Sequence, residues 1–226
     1  MIETVPPCKK LVIALPSYAG KPMIGTRRAL DKAVRRAAKD GVELVAAITI
    51  SGQCYLDVAR NLLVRMFRDT AGTDMLFVDD DVAFEEDAIA RICAATRPIV
   101  AGIYPKKTTP IQWPIDGAGP VAPDGLAECE MAPTGFMRIN RAVFELMAPQ
   151  CEAFGWEGKT LVAFFQTMIK DGRYWGEDVH FCRTWRQMGG KLHAIADMNF
   201  THTDKEGHDF AGNWATWLMQ QAREAA

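Results

Sequence analysis

Three consecutive carboxylates, Asp79-Asp80-Asp81, follow the apolar run Leu76-Phe77-Val78. Like charges so close repel and raise one another's pKa, so the cluster is costly unless a cation compensates it. The apolar run reads as a buried strand, and open α/β sheets bind ligands at the C-terminal ends of their strands. Side chains alternate along an extended strand end, which would turn Asp79 and Asp81 one way and Asp80 another. Two carboxylates on one side suit Mg²⁺ or Mn²⁺, ions that bridge to diphosphate oxygens. A local reading competes: the same residues can form a turn and cap a helix ahead of Glu85-Glu86. An isolated D-x-D is common, and its place at the end of an inner strand is what favours the metal.

Further segments hold groups that could work beside such an ion. Asp57-Val58-Ala59-Arg60-Asn61 lies upstream on a helical pattern. Arg60 could contact phosphate, and Asn61, a poor helix former in mid-helix, wants a side-chain role; an exposed helical Arg beside a tolerated Asn is the plainer reading. Gly176-Glu177-Asp178 opens a helix with Phe181, Cys182, Trp185 and Met188 at core spacing. Carboxylates in a first turn are ordinary dipole partners, or one of them takes the proton of an attacking hydroxyl. His202, in Asn199-Phe200-Thr201-His202-Thr203-Asp204, is either a surface polar residue or a third ligand with Asp79 and Asp81. As a ligand its imidazole favours Mn²⁺ over Mg²⁺, with Asp204, His208 and Asp209 as nearby alternatives.

The elements that must position these groups alternate. Apolar runs at residues 11–15, 42–50, 75–78 and 99–104 read as strands, and residues 25–39, 55–68 and 86–95 as helices. In the second helix Leu56, Leu63 and Phe67 share a side. This alternation predicts a mainly parallel sheet covered by helices on both faces. Residues 108–124 are rich in Pro and Gly and read as loop. Residues 126–138 offer short strands around Thr134-Gly135, followed by helices at 141–147 and 177–188, a strand at 191–196 and a helix at 213–223 carrying Trp214, Trp217 and Leu218. With 226 residues and no evident linker, one α/β domain over 1–226 is expected, a more irregular half beginning near residue 106.

Bulk properties narrow the class. The hydrophobic share of 49% excludes a disordered chain, and a net charge of -2 gives no global field for nucleic acid or anionic membrane. No apolar run nears the ~20 residues of a membrane span, and the N-terminal Pro6-Pro7 and Lys9-Lys10 pairs do not read as a signal peptide. Six cysteines without C-x-x-C pairing read as reduced buried thiols, hence a cytoplasmic location.

Taken in order, Ala59-Arg60-Asn61, Asp79-Asp80-Asp81, Thr134-Gly135-Phe136 with Arg141-Ala142-Val143-Phe144, Glu177-Asp178 and Gly189-Gly190 resemble the motif series of a GT-A fold glycosyltransferase, close to family 2. The match spans roughly residues 10–203, and each motif is weak alone. The resemblance implies that Asp79 and Asp81 hold the metal and the donor diphosphate, with Asp80 beside them. It implies Asp178, the second residue of the pair with Glu177, as catalytic base in an inverting enzyme. Pro16-Ser17-Tyr18 falls where the family's loop touches the nucleotide. Gly102-Ile103-Tyr104-Pro105-Lys106-Lys107 is similar to a tract in short phage-type glycosyltransferases, which makes Lys106 a phosphate or acceptor contact. Where family 2 usually has an Asp that reads the nucleobase, this chain has Thr49-Ile50-Ser51-Gly52, so UDP-sugar and GDP-sugar both remain open.

On this reading the metal neutralises the departing nucleoside diphosphate, and Gly135 lets backbone approach the sugar closely. Trp175 either stacks on a ring of the ligand or is buried. Arg28, Lys32, Arg35 and Lys39 share one face of the first helix. A solvated surface is the plain account of that face; a track for a polyanion, such as DNA with hydroxymethylated bases, is the sharper one. Two other classes stay in play. A haloacid dehalogenase-like phosphatase also uses D-x-D at a strand end, but its motif opens the domain, and a non-catalytic nucleotide-sugar-binding module would bind without turnover.

Overall fold

Leu11, Ile13 and Leu15 face one apolar layer and Val12 and Ala14 another, so the first strand must be covered on both sides. That pattern continues through the chain. In a computed structural model, which describes residues 1–170 and 172–224, the chain begins β1 (Lys10–Ser17), α1 (Ile24–Lys39), β2 (Glu43–Ser51), α2 (Leu56–Arg68), β3 (Asp74–Val78). It continues with β4 (Val82–Phe84), α3 (Ala88–Ala94), β5 (Ile99–Gly102), β6 (Leu126–Cys129), β7 (Phe136–Asn140) and α4 (Arg141–Met147). Two hairpins follow, β8 (Ala153–Trp156) with β9 (Lys159–Val162) and β10 (Met168–Lys170) with β11 (Arg173–Trp175). The last elements are α5 (Glu177–Gln187), β12 (Leu192–Ile195), β13 (Asn199–Thr203), β14 (Asp209–Asn213) and α6 (Trp214–Glu224). Asp171 and the two final residues of the expected 1–226 unit lie outside the described residues.

The central seven-stranded sheet runs β2-β1-β3-β7-β5-β12-β6. Strands β2, β1, β3, β5 and β12 point one way, and β7 and β6 the other. Leu63, Val64 and Phe67 of α2 pack against Val12, Met75 and Phe77, while Ala29, Ala33 and Ala37 of α1 pack against Ile13, Leu76 and Val78. Small alanines let α1 lie close to the sheet, and its charged positions are left in solvent. A mainly parallel sheet with helices on both faces is therefore the observed architecture.

Several expectations need correction. Leu56 is 44% exposed at the start of α2, while Leu63 and Phe67 are buried as expected. The strand expected at 99–104 ends at Gly102, and the helix expected at 86–95 starts at Ala88. The second half is richer in strands than its sequence suggested. Strand β4 pairs with β13, and β13 with β14, in a separate three-stranded sheet. All six cysteines are free thiols, with Cys8, Cys93, Cys129 and Cys182 buried. No helix among the described residues is long and apolar enough to cross a membrane.

Candidate active site

Strand β3 ends at Val78 and the chain turns: the Val82 N–H donates to the Asp79 carbonyl at 3.3 Å, and β4 begins. The aspartates therefore sit on a turn, not on an extended strand end, and the turn sends each carboxylate to a different partner. Asp79 accepts from Arg60 Nη2 at 3.0 and 3.3 Å. Asp80 accepts from the Ser17 hydroxyl at 2.7 Å, and its carbonyl accepts the Met23 N–H at 2.7 Å, which ties the end of β1 and the start of α1 to the cluster. Asp81 is salt-bridged to Lys107 through Oδ2 and lies 3.4 Å from His202 Nε2 through Oδ1.

Arg60 is the hub. It is 1% exposed, lies 5.1 Å from the Phe77 ring centroid, and donates through Nε to Glu177 at 3.0 Å. Burial disfavours its charge, but Asp79 and Glu177 together outweigh that and hold its pKa above the ordinary value. Burial likewise pushes Asp79 up, with Arg60 pulling against it and Asp81 and Glu177 adding to the rise. One guanidinium nitrogen, Nη1, is buried without a partner among the described residues. Arg60 thus joins two carboxylates from distant elements rather than lying on an exposed face.

His202 and Lys107 arrive by long-range pairing. Strand β13 sets His202 opposite Val82, and the Thr203 N–H donates to the Asp81 carbonyl at 2.9 Å. His202 Nδ1 donates to the Pro105 carbonyl at 2.9 Å. A carbonyl only accepts, so Nδ1 carries a hydrogen; Nε2 faces Asp81, where it donates when it too carries a hydrogen and offers a lone pair to a cation when it does not. Burial pushes Asp81 up, but the hydrogen bonds from His202 and Lys107 prevail and hold its carboxyl below the ordinary range. Burial raises Asp80, with Ser17 opposing.

Glu177 and Asp178 open α5 after Gly176 and divide their roles. Glu177 is held by Arg60, whereas among the described residues Asp178 accepts only the neighbouring Val179 N–H, at 2.7 Å. Burial, then the adjacent Glu177, pushes Asp178 up to about 6. A carboxylate so poised is a candidate proton acceptor near neutral pH.

Gly135 contributes through its backbone. Its carbonyl accepts the Asp79 N–H at 2.9 Å and its N–H donates to the Tyr104 hydroxyl at 3.2 Å. A Cβ here would lie 2.3 Å from that hydroxyl and 2.5 Å from Asp79 Oδ2, so glycine is required for the approach of protein groups, not only of a ligand. Tyr104, unassigned in the sequence, packs its ring 5.1 Å from His202.

Other expected contacts are placed differently. Asn61 is 3% exposed, and its amide both donates to and accepts from the Phe165 backbone, at 2.8 and 3.0 Å. Its mid-helix role is to dock residues 163–165, and its polar atoms are already engaged. Pro16 is buried in β1, Tyr18 is 72% exposed beyond the strand end, and only Ser17 touches the cluster. Lys106 is exposed and has no salt bridge among the described residues; Lys107 is the lysine that reaches the aspartates. The Lys-Lys pair was visible in the sequence, but the choice between them depends on the loop's fold. Trp175 stacks with Arg183, 4.5 Å from its ring, and donates to the Lys170 carbonyl at 3.1 Å.

Asp81 and His202 fit a divalent ion. An imidazole that gives its other N–H to a backbone carbonyl while facing a carboxylate is the arrangement of metal-binding histidines. Asp79, Asp81 and His202 do not draw three ligand atoms within 4.8 Å of one another, and Arg60 engages Asp79. Among the described residues only Asp204, Glu206 and His208 do so, in the β13–β14 turn, where Asp204 accepts both the His208 N–H and its ring Nδ1.

No family model and no curated protein matches the sequence. Among solved structures, GalNAc-T7 with UDP, GalNAc and Mn²⁺ aligns at TM-score 0.46 and 11% identity over 86% of this chain and 44% of that one, too distant to support any statement. A197 from STIV aligns at TM-score 0.51 and 17% identity over 87% of each chain. That likeness concerns the fold alone, and the chain has a GT-A-like α/β fold.

Proposed function

We propose that this protein is a metal-dependent glycosyltransferase that moves a sugar from a nucleoside-diphosphate sugar to a hydroxyl acceptor. The observation that carries the proposal is the convergence at the C-terminal end of β3. There the Asp81–His202 pair and the raised Asp178 carboxylate meet around buried Arg60. Asp81 and His202, with Asp79 as the next carboxylate, would hold a divalent ion, whose chemistry when bound would be positive charge against the departing diphosphate. Asp178 takes the acceptor's hydroxyl proton as that oxygen attacks the anomeric carbon. The bond from that carbon to the diphosphate breaks, and its electron pair leaves with the nucleotide. Glu177, expected as a catalytic alternative, is a positioning residue here, since Arg60 holds it. Ser17 fixes Asp80, and Gly135 with Tyr104 fixes Asp79. A phosphatase reading would need Asp79 as nucleophile, and both its oxygens face Arg60.

Mn²⁺ is preferred to Mg²⁺ because an imidazole lies in the ligand pair. UDP and GDP are both carried as donor nucleotides, and the sugar, hexosyl or pentosyl, is left to experiment. Nucleoside diphosphate release from a panel of UDP- and GDP-sugars, with Mn²⁺ or EDTA, tests the proposal. Metal-dependent release from one donor, lost in Asp178→Asn, supports it; release that ignores EDTA overturns the metal. Calorimetric binding without release from any donor or acceptor favours a non-catalytic module.

For the acceptor we propose a polyanion such as DNA. The basic side chains Arg28, Lys32, Arg35 and Lys39 are all exposed on α1, whose start is bonded to Asp80. DNA binding that weakens with salt and disappears when those four are neutralised supports this; salt-insensitive or unchanged binding removes it.

A further inference from the structure

We propose that Lys107 is the resident counter-cation of Asp81 and passes to the donor's diphosphate when a divalent ion binds, which couples ion and nucleotide binding. The inference rests on the metal-dependent reading above. The Asp81 carboxylate is divided between two partners: Oδ2 holds the Lys107 ammonium and Oδ1 faces His202 Nε2 at 3.4 Å. A divalent ion that takes the Oδ1–Nε2 side therefore meets a positive charge already seated on the other oxygen, and the two cations repel.

The lysine is built to leave. Its side chain is 31% exposed and that of Asp81 21%, so departure unpacks no core. The surrounding backbone is tied, the Lys106 N–H donating to the Gln112 carbonyl at 2.8 Å and the Thr108 N–H to the Lys106 carbonyl at 2.9 Å. Motion is confined to a flexible four-carbon stem ending in a compact charge, the kind of group that follows a phosphate. The Pro105 carbonyl on His202 belongs to the same strap, so one segment sets the imidazole and supplies the competing ammonium.

Two consequences follow in opposite directions. Without nucleotide, the ion must displace an ammonium that gains nothing in return, so it binds weakly. With a diphosphate present, the displaced ammonium finds acceptor oxygens, and both cations are partnered. Lys107 thus withholds the ion until the nucleotide is there.

Titration calorimetry of the full chain with MnCl₂, alone and with UDP or GDP, tests this, with the resonance of free Mn²⁺ counting bound ions. Lys107→Met is expected to bind Mn²⁺ alone about tenfold more tightly and to lose about tenfold of the tightening the nucleotide provides, within the usual range of coupling between two sites. Lys107→Arg keeps the charge and should restore both wild-type values. Lys107→Gln repeats the measurement should Lys107→Met unfold. Mn²⁺ affinity unchanged or weakened in Lys107→Met, while Asp81→Asn abolishes binding, overturns the role of Lys107 and leaves the metal reading intact. Wild-type protein that binds no Mn²⁺, with or without nucleotide, overturns both.

Discussion

Strand β3 begins with Asp74 and is followed by Asp79, and each meets a buried arginine, yet the two ion pairs are built differently. At the N-terminal end, Arg138 and Asp74 are 0% and 1% exposed. Arg138 also donates to the carbonyls of Ile92, at 2.9 Å, and Ala95, at 3.1 Å, while Asp74 accepts from Thr73 and Asn140. At the C-terminal end, Arg60 is as deeply buried, but Asp79 and Glu177 keep side-chain exposures of 22% and 12%, and Arg60 Nη1 has no partner among the described residues. A closed, satisfied pair locks elements together. An open, incompletely satisfied one leaves partly exposed carboxylates beyond the end of the strand, which stability alone does not require.

The comparison can be broken at either end. Arg138→Ala strands Asp74 as an unpaired buried charge and should cost about 3–5 kcal/mol in denaturant unfolding, with an effect on turnover only through lost folded protein. Asp178→Asn should do the reverse, lowering nucleoside diphosphate release about 10²–10⁴-fold with an unchanged or raised unfolding midpoint. A midpoint that collapses in Asp178→Asn would mark the C-terminal cluster as structural after all. Gly135→Ala forces a Cβ against Tyr104 and Asp79 and should cost about 1–3 kcal/mol, with a disproportionate loss of turnover, read from melting and rate together.

The smallest effect is a pH dependence. Asp178 is raised from 3.8 to about 6, so its folded form binds protons more readily than its unfolded form. Stability from this group is present below the unfolded value and declines as pH rises from about 4 through about 6. Turnover runs the other way: kcat/KM should fall below pH about 6 as the base is protonated, and Asp178→Asn should flatten both profiles.

Much of this was legible beforehand. Continuous apolar runs located β1 and β3 and helical patterns α2 and α4, because both faces of an inner strand and one stripe of a helix must be apolar. The Asp79-Asp80-Asp81 run and Glu177-Asp178 stood out because grouped carboxylates are costly without a purpose. Strand β4 did not stand out: it has three residues, and its pairing with β13 is over a hundred residues distant. Asn61 is a poor helix former in mid-helix, but its partner, the Phe165 backbone, lies 104 residues away.

The sequence by itself determined which residues had to be inside, where the chain had to turn, and that acidic groups gather at the end of an inner strand. Those follow from local periodicity and from each side chain's own solvation. Only the tertiary structure decided that Arg60 joins Asp79 to Glu177, that Lys107 and not Lys106 meets Asp81, and that Asp178 is raised while Asp81 is lowered. Desolvation and charge interaction act across space, and Arg60, Lys107 and His202 reach the aspartates from other parts of the chain.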